Sequence, residues 1–198
     1  MFDSAILLFT HIRIKNKMLK PKFRLAEQYD IAELVNMINS AYRDPHQNSW
    51  TNESELVHGD RIDHAQLESL IQQHNQKSFH SRLLVAEICH QMKDEIIGCI
   101  AIELQHQDVE IGTFCIAPEW QNWGYGVQLL HAAETYAAKM KPDIKRWVMW
   151  VLDARTELIE FYIRHGYVHT GVIQDYPLNL GVGTPLIELK LLELIKIA

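Results

Sequence analysis

Polar and apolar positions change their period twice along this chain. Residues 22–25 read as a short strand, and a helical repeat follows, with Ile31, Leu34, Val35 and Ile38 on one face. That spacing predicts a helix from Asp30, a capping residue, to about residue 41. Residues 42–63 are polar and turn-rich, carrying Pro45, Asn48, Asn52 and Gly59. A second helix is predicted over 64–75, where Leu67, Leu70 and Ile71 fall together. The pattern then turns β-rich at 82–89, 95–104 and 109–117, three consecutive strands with a hairpin loop at Met92, Lys93 and Asp94. Val127, Leu130, Ala133, Ala137 and Met140 form the apolar stripe of a long helix over 124–140. A strand at 145–152, a short helix at 156–165 stopped by Gly166, and strands at 167–173 and 185–192 complete the chain.

The order β-α-α-β-β-β-α-β-α-β-β describes an α/β (α+β) mixed sheet with helices on both faces. With 198 residues, 47% of them hydrophobic, the chain can bury one core without disulfides or metal. The single domain is placed at 21–198. Residues 1–20 are an extension, either an extra strand or sequence upstream of a start at Met18. Its apolar residues 2–9 precede the basic ones, the reverse of a secretory signal. No apolar run reaches the roughly 20 residues of a membrane span, so a membrane is not expected as a partner.

The formal net charge is −6 and no Lys/Arg run is present, which points away from nucleic acid. Cys89, Cys99 and Cys115 are odd in number and lack C-x-x-C spacing. They read as small buried hydrophobes of a cytoplasmic protein. None of the eleven histidines has H-x-x-x-H or H-x-x-E-H spacing, so no metal is expected; His131 and Glu134 read as an exposed pair on one helix.

One segment carries chemistry. A strand ends at Pro118, and Gln121, Gly124 and Gly126 form a Gln-x-x-Gly-x-Gly pattern where the long helix opens. Unpaired amides and the dipole at a helix start hold phosphate, and glycine lets the backbone approach it. A G-x-G alone is expected about once by chance in such a chain, and a turn that needs glycine for backbone reasons stays open. The stretch Ile116-Ala-Pro-Glu-Trp-Gln-Asn-Trp-Gly-Tyr-Gly resembles the pyrophosphate motif of the GNAT N-acetyltransferase family. A second stretch, from Val151 to Tyr167, is similar to that family's strand–helix–strand element ending in F-Y-x-x-x-G-[FY].

The resemblance spans about residues 22–192 and implies the GNAT fold, a mostly antiparallel central sheet whose strand splays at a bulge. It implies acetyl-CoA as co-substrate, with Phe114, Cys115 and Ile116 facing the pantetheine arm and Gln121, Asn122, Trp123, Gly124, Tyr125, Gly126 and Val127 cradling phosphates. The family usually has Gly or Lys where Trp123 stands, and often Asn where Arg155 stands; Arg155 is expected to reach a phosphate instead. Tyr162 falls on the tyrosine that protonates the leaving thiolate, although by residue chemistry alone it is as readily a helix residue packed on the sheet. The Ile116 amide is expected to face the oxyanion, and Glu110, with Glu103 as second choice, to be the base that takes the amine proton. Glu110 also reads as a solvated strand residue.

The segment from Ser49 to Arg61 holds an aromatic, carboxylates and a cation. Trp50 with Glu53 or Glu55 is expected to hold an acceptor ammonium, with helix caps and packing as the alternative. Trp147, Trp150 and Tyr176 read as core, with the lining of the same acceptor cleft as the alternative. The function implied is acetyl transfer from acetyl-CoA to a primary amine, with a non-catalytic acyl-CoA-binding sensor or partner module as the alternative. A nucleotide enzyme is a third reading, disfavoured because the G-x-G follows antiparallel strands rather than opening a βαβ unit. The Ile and Leu of the last strand are the expected surface of a homodimer.

Overall fold

The three β-rich runs in mid-sequence become the middle of a seven-stranded sheet in a computed structural model, which describes residues 19–72, 81–90 and 92–198. The predicted leader and the far end of the second predicted helix lie outside the described residues. In chain order the elements are β1 (Lys22–Leu25), α1 (Ile31–Arg43), β2 (Val57–His58), α2 (His64–Gln72), β3 (Ser81–His90), β4 (Lys93–Gln105), β5 (Asp108–Ile116), α3 (Tyr125–Met140), β6 (Arg146–Leu152), α4 (Thr156–Arg164), β7 (Val168–Asp175), β8 (Thr184–Pro185) and β9 (Lys190–Ile197). The large sheet runs β1-β3-β4-β5-β6-β9-β7, and β2 pairs with β8 in a small second one. All its neighbours are antiparallel except β5 and β6.

Helices cover both faces. α1 and α2 bury Leu34, Ile38, Leu67 and Ile71 against Leu83, Val85, Cys99 and Cys115. On the other face α3 and α4 bury Leu129, Ala133, Ala137 and Ile159 against Leu84, Ile100, Ile102 and Val109. Each large aliphatic removed from water here contributes roughly 1.5–3 kcal/mol.

Two irregularities shape the site. β5 and β6 pair only from Asp108↔Arg146 to Ile111↔Met149, after which the strands part. Over the same stretch the β4–β5 register slips between Cys99 and Ala101, so that Thr113 and Phe114 oppose Ile100 alone. Thr113 sits at φ 42°, the strained residue of a bulge that bends β5 away from β6.

Several expectations change. The last strand is β9, not 185–192, and it lies inside the sheet between β6 and β7. Leu186 and Ile187 are exposed, whereas the interior strand is half-buried along most of its length, with Leu194 fully buried. The edge that the expected homodimer would use is therefore not that of the last strand, since β7 is the edge. Asp30 precedes α1 without a side-chain cap; its carboxylate takes two bonds from Arg24 at 2.6 and 3.0 Å and one from the Glu27 amide at 2.8 Å. Cys89 is exposed, while Cys99 and Cys115 are buried with their sulfurs 3.8 Å apart. Glu134 is buried rather than exposed beside His131; it accepts from Tyr167 Oη at 2.9 Å and Lys196 Nζ at 2.8 Å.

Candidate active site

The parting strands leave a wedge with a cavity on each side. The first, about 250 Å³, is lined by Phe114, Cys115 and Ile116 of β5, the 120–127 turn, Trp50, Thr51, Leu158 and Phe161. The turn is built for a close backbone approach. Asn122 and Gly124 take positive φ of 63° and 78°, a geometry that Asn and Gly accept most readily. Gly124 precedes α3 as its N-cap, so the Tyr125, Gly126 and Val127 amides lack intrahelical acceptors. A Cβ at Gly124 would meet nothing within 4 Å, so the cradle is open there. Along β5 the Ala117 amide donates to the Ile97 carbonyl of β4. Amides alternate along a strand, so the Ile116 amide faces the edge that β6 has left.

Gln121 ties this cavity to the chain around Trp50. Its amide group donates to the Ile116 carbonyl and to Ser49 Oγ, both at 2.8 Å, and accepts from the Trp50 amide at 2.7 Å. The Ile116 carbonyl, orphaned by the splay, is thereby satisfied.

The second cavity, about 470 Å³, includes Phe114 and Leu158 in its wall, as the first does, and adds Tyr42, Arg43, Glu53, Arg61, Glu110, Trp150, Tyr162 and Tyr176. Tyr42 Oη donates to the Phe114 carbonyl at 2.9 Å, on the bulge itself. Tyr162 is buried, and burial is the main cause that holds its phenol well above the ordinary tyrosine range, with the positive charge of Arg155 acting the other way. It therefore keeps its proton through neutral pH. Burial also raises the Glu110 carboxyl; the Glu103 charge opposite it on β4 adds to this, and a 2.9 Å bond from Gln105 works against it.

Residues 79–169 match the family model of the acetyltransferase (GNAT) domain. Over that stretch, a little under half of its length, the chain is similar to GNAT acetyltransferase domains. No curated protein matches it. Among solved structures, spermidine N-acetyltransferase from Vibrio cholerae, in complex with CoA and spermine, is 20% identical with a TM-score of 0.63, over 92% of this chain and 96% of that one. A GNAT acetyltransferase from Streptococcus pneumoniae is 20% identical with a TM-score of 0.63, over 90% and 100%. PaiA N-acetyltransferase from Thermoplasma acidophilum, in complex with coenzyme A, is 17% identical with a TM-score of 0.61, over 91% and 100%. At these identities the likeness shows the fold, and the GNAT splay of the central strands is present in it.

Against the GNAT resemblance, Phe114, Cys115, Ile116, Gln121, Asn122, Gly124, Tyr125, Gly126 and Val127 all line the first cavity, and Trp123 does not. Arg155 lies elsewhere. It is buried at the start of α4 and donates to the Trp50 carbonyl and, at 3.0 Å, to the Asn52 carbonyl. Its donors tie down the 50–53 loop, which corrects the expectation of a phosphate contact. Trp50 and Glu53 are separated, Trp50 on the first cavity and Glu53 on the second. Glu53 is moreover paired with Arg43 at 2.6 Å and lies 3.9 Å from Arg155. Of the three aromatics read as core or cleft lining, Trp150 and Tyr176 line the second cavity, while Trp147 is buried. Sequence reasoning missed Tyr42. The sequence left it at the start of the turn-rich stretch 42–63, and its part shows only once the helix is seen to run through it to Arg43 and the bulge in β5 is known.

Proposed function

We propose that this chain transfers the acetyl group of acetyl-CoA to the primary amine of a small molecule by direct attack. The observation that carries the reading is the splay: it sets a phosphate-ready helix start and an opened strand edge on one side, and a cavity with a carboxyl and a protonated phenol on the other. Bound acetyl-CoA would supply an activated acyl carbon in the wedge. The residues to hold it are those of the first cavity, with the Asn122–Val127 amides at the pyrophosphate and Phe114–Ile116 along the pantetheine arm. The Ile116 amide is assigned to the charge that develops on the acetyl oxygen. Glu110 takes the amine proton directly or through water, and Tyr162, kept neutral by its burial, gives a proton to the departing sulfur. A cytoplasmic setting fits the unpaired thiols, and among the described residues no helix is long and apolar enough to cross a membrane. The exposed β7 edge is the part proposed to meet a second copy.

Thermal unfolding in the presence of acetyl-CoA tests the cofactor half. At a hundredfold over its dissociation constant the ligand adds about 2.7 kcal/mol, and Gly124→Glu is expected to erase that shift by placing a carboxylate in the cradle. Gly124→Asn, which tolerates positive φ, controls for backbone strain. No shift in the wild type overturns the reading. A shift without thiol release from any amine leaves the acyl-CoA-binding module in its place.

A further inference from the structure

The second cavity has four charged side chains in its wall: Arg43, Glu53, Arg61 and Glu110. Two of them are committed to each other. Besides its 2.6 Å pair with Glu53, Arg43 donates to the Gly59 and Val182 carbonyls, each at 3.0 Å. Arg155 adds a second cation behind Glu53, at 3.9 Å. That corner is a closed structural network, with no charge left for a ligand.

Arg61 differs. It is half-buried, and its guanidinium lies over the Tyr42 ring, 5.4 Å from the centroid. Among the described residues its side chain has neither an ion pair nor a hydrogen bond, although a guanidinium offers five donors. The backbone beneath it is fixed. Asn39 Oδ1 accepts from the Arg61 amide at 2.7 Å and the Ile62 amide at 3.2 Å, and Asn39 Nδ2 donates to the Ile62 carbonyl at 2.9 Å. The same Tyr42 that carries the guanidinium holds the bulge through the Phe114 carbonyl. A preset, partly desolvated cation thus stands beside the point of reaction without a counterion.

We propose that the acceptor is an amine that also bears a carboxylate, an amino-acid-like molecule, with Arg61 holding that carboxylate. The inference rests on the acetyl-transfer reading and names its substrate class. A zwitterion complements the two charges that have no ion pair among the described residues, its carboxylate at Arg61 and its ammonium on the Glu110 side. A polyamine would bring at least two cations to a wall where Glu110, bonded to the neutral Gln105, is the carboxylate without an ion pair among the described residues, and where Arg61 repels them. A planar guanidinium also meets a carboxylate through two parallel hydrogen bonds, which fixes orientation as well as charge.

Thiol release from acetyl-CoA, measured with amino acids and their carboxamides as matched pairs and with spermidine alongside, decides it. The acid of each pair is expected to be preferred by about tenfold or more in kcat/KM, chiefly through KM, the size of one charged hydrogen-bonded contact. The ratio should fall toward one in Arg61→Gln and turn in favour of the amide in Arg61→Glu. Equal rates for acid and amide in the wild type, preference for spermidine, or an unchanged ratio in Arg61→Gln overturns the proposal. Should no amine release thiol, acetyl transfer fails, but the carboxylate site is still decided. Thermal unfolding of the CoA-loaded protein should then be shifted by N-acetyl amino acids and not by their amides, with the shift lost in Arg61→Gln; equal shifts overturn it.

Discussion

Glu110 and Tyr162 face one cavity and titrate in ways that divide the labour between them. The Glu110 carboxyl is raised above 4.5 by burial and then by Glu103. A raised acid favours the protonated form in the fold, so its contribution to stability is complete below its ordinary value and is lost as pH rises through the shifted one. Glu110→Gln is therefore expected to unfold no earlier than wild type at neutral pH and to lose this advantage in acid, read by thermal unfolding across pH. Catalysis has the opposite sign, because the base must be charged. The wild-type kcat/KM should climb with pH above 4.5, and the variant should lose that limb along with most of the rate. Tyr162→Phe should lower kcat by about a hundredfold or more while leaving the KM for acetyl-CoA near wild type; an unchanged kcat would return Tyr162 to packing. Two ordered motifs and a strand position marked both residues in the sequence, and the structure brings them to one cavity. The misplacement of Arg155 was not legible. Whether a guanidinium reaches a phosphate or two carbonyls of a loop far away in sequence depends on a contact that no local pattern encodes.

At the scale of elements, the wedge depends on how closely β4 and β5 meet beside the bulge. A Cβ on Gly98 would come within 2.5 Å of the Ile116 side chain and 2.7 Å of the Cys115 carbonyl. A backbone oxygen cannot rotate aside as a side chain can, so Gly98→Ala must push β5 toward the cofactor cavity. The variant is expected to lose about 1–3 kcal/mol of stability, the usual cost of overpacking, and to bind acetyl-CoA more weakly, read by urea unfolding and by titration. Intact affinity at lowered stability would show that the splay is held from elsewhere. The strands and helices of this region were readable from period alone, since each buries a regular face. The last strand was displaced in the sequence reading because residues 185–189 are as apolar as β9. Register against β6 and β7, and not hydrophobicity, selects the strand, and the β2–β8 pair of two-residue strands left no periodic trace.

For the whole molecule the open question is what meets the free edge of the sheet. All eight residues of β7 are exposed, and Val168, Val172 and Ile173 are 57%, 47% and 59% accessible. An apolar edge strand of this kind invites a partner. Gly171, at φ 86°, and the register shift between His169 and Ile173 break its line, so side-chain packing across a twofold axis is expected there in place of an extended joint sheet. Each copy carries a formal charge of −6 with an isoelectric point near 6.0. Two copies repel at neutral pH, and both added salt and acidification toward the isoelectric point weaken that repulsion. Sedimentation velocity should therefore show a reversible dimer that tightens with ionic strength, and Val172→Lys combined with Ile173→Glu should give a monomer that still binds acetyl-CoA. A wild type that stays monomeric at high salt, or a dimer indifferent to the two substitutions, would remove β7 as the contact.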